Sequence, residues 1–257
     1  MGEVRTIAVM GATGRQGRGV IEALQNISTK SIEKQIQYAI RPMTRSLTSK
    51  LAREFELDFP HLSLVQWRQD DTDSITECFD GYYGAFIDTG MFHVPEASML
   101  ELTRGEIALG KRCLEAANTA SLSHIIYPTF PSIFNSSNGS INILRFETKH
   151  QISLEIHASS IPSTVLCPGP FYTDLYEPQY ASWDGTTVIF STTAAPETSV
   201  GFADPSHDIG LFTRAALDKG AQYMAGEEIP VCGPPLTYAE LAARFTAVTG
   251  IQAAYRT

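Results

Sequence analysis

The apolar run Val4-Arg5-Thr6-Ile7-Ala8-Val9-Met10 passes straight into Gly11-Ala12-Thr13-Gly14-Arg15-Gln16-Gly17, and a helical pattern carrying Val20, Ile21 and Leu24 follows. A strand that turns on glycine into a helix leaves few folds open. A glycine in the turn reaches backbone conformations closed to other residues. A second brings the chain up to a ligand with no Cβ in the way, and a third, Gly17, lets the helix lie close on the strand. The new helix then aims its unpaired N–H groups and the positive end of its dipole at the turn, where an anion can sit. The spacing is G-x-x-G-x-x-G rather than the dehydrogenase G-x-G-x-x-G, so the motif takes its meaning from its place between strand and helix. That place predicts a cradle for a pyrophosphate.

The rest of the chain alternates in the same way. Strands are expected at 35–41, 62–67, 83–88, 124–128 and 163–167, the last stopped by Pro168. Between them fall helices from about Ser46, at 74–79, at 95–119 and at 145–158. Short apolar strands separated by amphipathic helices require crossover connections and a mostly parallel sheet covered on both faces. The expected class is α/β, doubly wound in the Rossmann manner. Beyond Pro170 the pattern loosens into an aromatic, loop-like stretch at 172–184, a strand at 186–190, a helix at 204–219, a strand at 228–232, and a helix to Thr249 opened by a Thr237/Glu240 capping box. We read 1–257 as one domain, with 1–168 as the dinucleotide-binding core and 169–257 as a smaller substrate-side subdomain interleaved with it.

At 257 residues the chain can bury one large core. Its net charge of −9 argues against general affinity for nucleic acid or anionic membrane, because both need surplus Lys and Arg. A small molecule or another protein is the expected partner. The first strand starts almost at Met1, which leaves no room for a signal segment, and no stretch is long enough to span a bilayer; a soluble, cytoplasmic protein is expected. The four cysteines, Cys78, Cys113, Cys167 and Cys232, form no C-x-x-C and no metal grouping with the histidines, so they read as free thiols and no metal is expected.

Several of these segments together resemble the NmrA-like family of atypical short-chain dehydrogenase/reductases: Gly-Ala-Thr-Gly-Arg-Gln-Gly at 11–17, Asp70-Asp71, Asp88-Thr89-Gly90-Met91-Phe92, Phe146-Glu147-Thr148-Lys149, Pro168-Gly169-Pro170-Phe171-Tyr172 and Asp208-Ile209-Gly210. The resemblance covers nearly the whole chain and implies a nicotinamide cofactor, usually NADPH. On it, Gly11, Thr13, Gly14, Arg15, Gln16 and Gly17 would hold the pyrophosphate, Asp71 would sit near the adenine, and Thr89, Gly90, Lys149, Pro168 and Phe171 would face the rest of the cofactor. Chemistry also favours NADPH. An NAD enzyme of this fold places a carboxylate after the second strand for the ribose hydroxyls; here that corner holds Arg41, Arg45 and Arg15, and no acid.

A typical short-chain reductase uses Tyr-x-x-x-Lys, with the phenol as acid and the lysine as its electrostatic partner. Lys149 fits the lysine, but the residue four before it is Arg145, which cannot give up a proton at neutral pH. Lys149, with Thr129 or Tyr127 supplying a hydroxyl, is the expected catalytic set. Phe92, His93, Tyr172, Asp174 and Tyr176 are expected to line the substrate pocket. Two functions follow. One is an NADPH-dependent reductase of a hydrophobic or aromatic metabolite, suited to iminium or conjugated acceptors that need no proton in the hydride step, or a cyclase or isomerase using the same pocket. The other is a non-catalytic NADP(H) sensor acting through a protein partner.

Overall fold

A computed structural model describes residues 3–25, 36–90 and 97–257. The first half runs β1 (Val4–Met10), α1 (Arg15–Gln25), β2 (Gln37–Thr44), α2 (Lys50–Asp58), β3 (Val65–Gln66), α3 (Thr72–Phe79), β4 (Gly84–Ile87), α4 (Met99–Thr119), β5 (His124–Pro128), a short α5 (Ile133–Ser136), α6 (Leu144–His157) and β6 (Ser163–Pro168). A 3-10 turn (Tyr172–Tyr176), β7 (Ala181–Trp183), β8 (Val188–Ser191) and β9 (Ser199–Val200) follow. The chain continues with α7 (Asp208–Lys219), α8 (Ala221–Met224), β10 (Glu227–Val231), β11 (Leu236–Thr237), α9 (Tyr238–Thr249) and β12 (Ala253–Arg256).

Seven strands form one sheet in the order β3-β2-β1-β4-β5-β6-β10, and every pairing in it is parallel. Strand direction explains its burial. Side chains alternate across a strand, so Ile7 and Val9 join the layer with Val20, Ile21, Phe86, Ile126, Ile209 and Leu217, under α1 and α7. Ala8 and Met10 join the opposite layer with Ile75, Ile87, Leu109, Cys113, Ile125 and Ile152, under α3, α4 and α6. A sheet covered on both faces needs near-continuous apolar strands, and β4 and β5 are buried at every residue.

The order reverses between β1 and β4, the two neighbours at the centre. In open parallel sheets the ligand crevice opens at the carboxyl ends of strands at such a switch point. Here those ends carry Gly11 and Asp88-Thr89-Gly90.

The structure departs from the sequence reading in several places. β2 runs three residues past Arg41, to Thr44, with Pro42 opposite Val9 of β1. β3 pairs only with Met43 and Thr44, so Pro42 has a partner strand on one side alone, where a missing N–H is tolerated. β3 itself is shorter than expected. α4 opens at Met99, under a capping box of Ser98 and Glu101. The 132–140 stretch, between β5 and α6, contains α5, capped by Ser132, and Glu147 reaches across from α6 to bond Ser132 Oγ at 2.7 Å and Phe134 N–H at 2.9 Å. The aromatic stretch at 172–184 holds the 3-10 turn and β7, which pairs with β8 and, through it, β12 in a separate three-stranded sheet.

Candidate functional site

The glycine turn is built as a close approach of backbone to backbone. Gly11 has φ +80°, a value that side-chain-bearing residues avoid, and its carbonyl accepts from Gly14 N–H at 2.9 Å. A Cβ on Gly17 would stand 2.2 Å from that same carbonyl oxygen. Ala12 N–H ties the turn to the end of β2 through Met43 O at 3.2 Å. Beyond it α1 begins at Arg15 without an acidic residue in its first turn. Its leading N–H groups therefore face the turn, as helix starts do.

An open cleft of ≈ 310 Å³ lies there, lined by Arg15, Gln16, Asp88, Phe171 and Pro205. Gln16 donates through Nε2 to Asp88 Oδ2 at 3.4 Å, and its Oε1 is buried without a hydrogen-bond partner. An unpaired buried acceptor is a cost that a donor in the cleft would remove. The glycine cradle, the helix start and this orphaned oxygen together fit a dinucleotide diphosphate with its adjoining ribose.

Asp88 connects the cleft to the interior. Its Oδ1 accepts from Gly90 N–H at 3.0 Å and from Lys149 Nζ at 3.4 Å. Lys149, on the buried stripe of α6 with Thr148, Ile152 and Ser153, is only 9% exposed. Its ammonium donates to Thr89 Oγ1 at 2.9 Å and pairs with Glu106 Oε1 at 3.1 Å. Thr89 gives its single proton to Glu106 Oε1 at 2.8 Å, so the Tyr127 hydroxyl, 3.2 Å from Thr89 Oγ1, must donate to it. Each N–H of the ammonium has a partner.

These contacts fix charge. Burial alone would push the Lys149 ammonium down, but Tyr127, Asp88 and Glu106 outweigh it and hold the pKa above the ordinary lysine value. Burial pushes the Tyr127 phenol up to about 12, with Lys149 opposing. Tyr127 is therefore neutral at physiological pH, where the two carboxylates hold the lysine charged. Tyr127 is also 0% exposed.

The remaining expected site residues lie as follows. Thr13 sits in the turn, and its carbonyl accepts from Arg18 Nε at 3.4 Å. Arg45 follows the true end of β2, within electrostatic reach of Asp88. Arg41 does not share that corner: it is inside the strand, its guanidinium 4.2 Å over the Tyr82 ring and bonded to the carbonyls of Glu77 and Cys78 at 2.9 and 3.1 Å. Asp71, rather than Asp70 or Asp73, caps α3 through Ser74 N–H at 3.0 Å and pairs with Arg68. Those bonds hold its carboxyl below the usual range, Ser74 first and Arg68 next. Thr129 is buried just past β5, its backbone N–H on Leu166 O at 2.8 Å. Pro168 ends β6 opposite Val231, and Phe171 bridges to Ala203 beside the cleft. Tyr172 stacks on Phe202 at 5.1 Å, Asp174 is exposed in the 3-10 turn, and Tyr176 is 80% exposed. Phe92 and His93 lie outside the described residues. Arg145 is exposed in the first turn of α6.

Glu106 was missed. Its signal was present: on α4 it shares a face with Thr103, Leu109, Gly110, Cys113 and Ala117, and a carboxylate on such a stripe needs a buried cation.

Residues 3–257 match the family model described as the NmrA-like family. The chain belongs to the NmrA-like family. It is 23% identical over 262 residues to the NmrA-like family domain-containing oxidoreductase ptmS of Penicillium ochrochloron, covering 96% of this chain and 73% of ptmS. Among solved structures it resembles Nmra, a negative transcriptional regulator in complex with NAD, with TM-score 0.81, 22% identity, and 99% of this chain and 74% of that one covered. It also resembles the Citrobacter sp. triphenylmethane reductase complexed with NADP(H), with TM-score 0.71, 20% identity, and 98% and 78% coverage. NmrA-like members thus include named oxidoreductases and a named regulator on one fold. Among the described residues no helix is long and apolar enough to cross a membrane, and no group of His, Cys, Asp and Glu could hold a metal ion.

Proposed function

We propose that this protein is an NADP(H)-dependent oxidoreductase whose hydride acceptor is a hydrophobic iminium or conjugated system that takes no proton in the same step. The observation that carries this reading is the grip on Lys149. Its three N–H bonds are directed to Thr89, Asp88 and Glu106, and Tyr127 beside it is buried with its pKa raised, so neither is a ready acid at neutral pH.

The reading assigns roles to this chain's own groups. The N–H groups opening α1 bind the diphosphate, with Gly11, Gly14 and Gly17 keeping Cβ atoms out of its way. Arg45 and Arg15 clasp the adenosine-ribose phosphate, which a planar guanidinium does well. Gln16 Oε1 accepts from a ribose hydroxyl, and Lys149 orients the nicotinamide ribose by giving it the N–H that otherwise makes the long 3.4 Å contact with Asp88. Bound NADPH supplies the hydride. Phe171 and Tyr172 exclude water from the acceptor, whose positive or delocalised charge is neutralised by the hydride itself, so no alkoxide needs protonation. In support, the relatives above include a reductase complexed with NADP(H).

Turnover tests this. NADPH oxidation, followed by absorbance across a panel of iminium, conjugated and simple carbonyl acceptors, should appear with the first two classes and be lost in Lys149→Met. Fast reduction of simple ketones, unaffected by Lys149→Ala, would overturn the reading.

A second reading is favoured by the same saturation of polar groups, which leaves no group free for chemistry: a non-catalytic sensor that binds NADP(H) and changes its affinity for a protein partner. Unequal binding of NADP⁺ and NADPH with no turnover on any acceptor would decide for it, since only differential affinity shifts an equilibrium.

A further inference from the structure

We infer that Glu106 is a positioning residue of this site, holding the Lys149 ammonium at Thr89 so that its third N–H, the one on Asp88 at the cleft, can pass to a bound nicotinamide ribose and keeps one place and one charge across the physiological pH range. The inference rests on the cofactor reading above.

Geometry carries it. Glu106 is 1% exposed, and its Oε1 meets both Lys149 Nζ at 3.1 Å and Thr89 Oγ1 at 2.8 Å. A single oxygen thus fixes the ammonium and orients the hydroxyl beneath it. Asp88, the other carboxylate, is 3.4 Å from Nζ, and its two oxygens are also engaged by Gly90 N–H and Gln16. It lines the cleft, whereas Glu106 stands behind the lysine on α4. A buried ammonium with Asp88 alone would be drawn toward the cleft and would lose its charge more readily. The ammonium therefore has an inner anchor and an outer one.

The groups facing Lys149 come from three elements besides its own helix: Asp88 past β4, Glu106 and Cys113 from α4, and Tyr127 from β5. Burial pushes Cys113 and Tyr127 each up to about 12. On α6 itself, Glu147 is turned away to Ser132 and Phe134. Between pH 7 and 9.5 a titration that appears on neutralising Glu106 and disappears with the lysine therefore reports the lysine.

The experiment is a fluorescence titration with NADPH at half-unit steps over that range, with a parallel thermal-unfolding series in the absence of cofactor. Wild type should bind with a nearly constant Kd. Glu106→Gln, which keeps the shape and removes the charge, should weaken binding progressively toward alkaline pH, by about tenfold at the upper end. Relative to wild type at the same pH, its unfolding midpoint should rise over the same interval, because a lysine whose folded pKa lies below its unfolded one destabilises the fold most while it is still protonated. Glu106→Gln/Lys149→Met should bind weakly at every pH and show no such slope. A flat profile in Glu106→Gln, or an identical slope in the double variant, overturns the inference. If wild type fails to bind NADPH, the cofactor reading falls instead, and the cofactor-free unfolding series still decides whether Glu106 governs the charge of Lys149. Should Glu106→Gln not fold, Glu106→Asp, with a carboxylate drawn back by one carbon, is expected to show the same slope in smaller degree, and a flat profile there counts against the inference.

Discussion

Replacing Gly17 by alanine tests whether the glycine turn is shaped for a ligand. The added methyl would stand 2.2 Å from Gly11 O, 2.7 Å from Gly11 C and 2.8 Å from Ala12 Cα. Non-bonded heavy atoms attract best at about 3.5–4.0 Å, so the overlap is roughly 1 Å, and all three atoms are backbone that no rotamer change can move aside. The turn must shift. It carries with it the Gly14 N–H to Gly11 O bond of 2.9 Å and the Ala12 N–H to Met43 O bond of 3.2 Å. Two such bonds are worth about 0.5–1.5 kcal/mol each, and overpacking adds about 1–3 kcal/mol. The expected loss of stability is about 2–6 kcal/mol. Binding suffers separately: displacing two N–H bonds to a charged diphosphate, at about 1.5–3 kcal/mol each, weakens NADPH by at least about 100-fold. Gly105→Ala is the matched control, because a Cβ there meets nothing within 4 Å on an exposed turn of α4. It should gain about 0.5–1 kcal/mol through helix propensity and leave binding alone. Thermal unfolding and NADPH titration on both variants decide the matter. Wild-type affinity in folded Gly17→Ala would refute the reasoning.

Other expectations concern single residues. Arg45→Glu should weaken NADPH by about 10–100-fold, from the loss of one charge-assisted contact worth about 1.5–3 kcal/mol, while Arg41→Ala should leave the NADPH to NADH affinity ratio unchanged; isothermal titration with both cofactors compares them. Tyr127→Phe should retain turnover on conjugated acceptors, and a large fall in kcat at unchanged stability would make Tyr127 the acid after all. His124 is buried, its Nε2 2.8 Å from Thr164 Oγ1, and burial pushes its pKa down to about 4. Because the folded value lies below the unfolded 6.5, stability is complete above pH 6.5 and drains as pH falls toward 4, by up to about 3 kcal/mol. Acid unfolding of His124→Gln should begin at lower pH than in wild type.

The parallel architecture was legible because it rests on periodicity, which survives in a single sequence: the β1–turn–α1 unit and the α4, α6 and α7 segments all declare themselves by spacing. Boundaries were less so. The pattern ends the second strand at Arg41, yet β2 passes on through Pro42 because β3 covers only the two residues beyond, and that boundary put Arg41 at a corner it does not occupy. The same limit applied to Asp71, whose cap depends on where α3 starts. Glu106 could not be assigned from the chain because its meaning comes from Lys149 and Thr89, which reach it from two other elements. Local pattern shows that a carboxylate lies on an apolar stripe; only tertiary packing shows which cation waits for it.

Asp88 spends one carboxylate oxygen on Gln16 and the other on Gly90 and Lys149. The side chain is therefore a crossbar between the two ends of the crevice. Any occupant that rotates the Gln16 amide to satisfy its bare oxygen must also tug on the ammonium on the far side, so the adenine-side and nicotinamide-side halves of a guest would be sensed as one event rather than two.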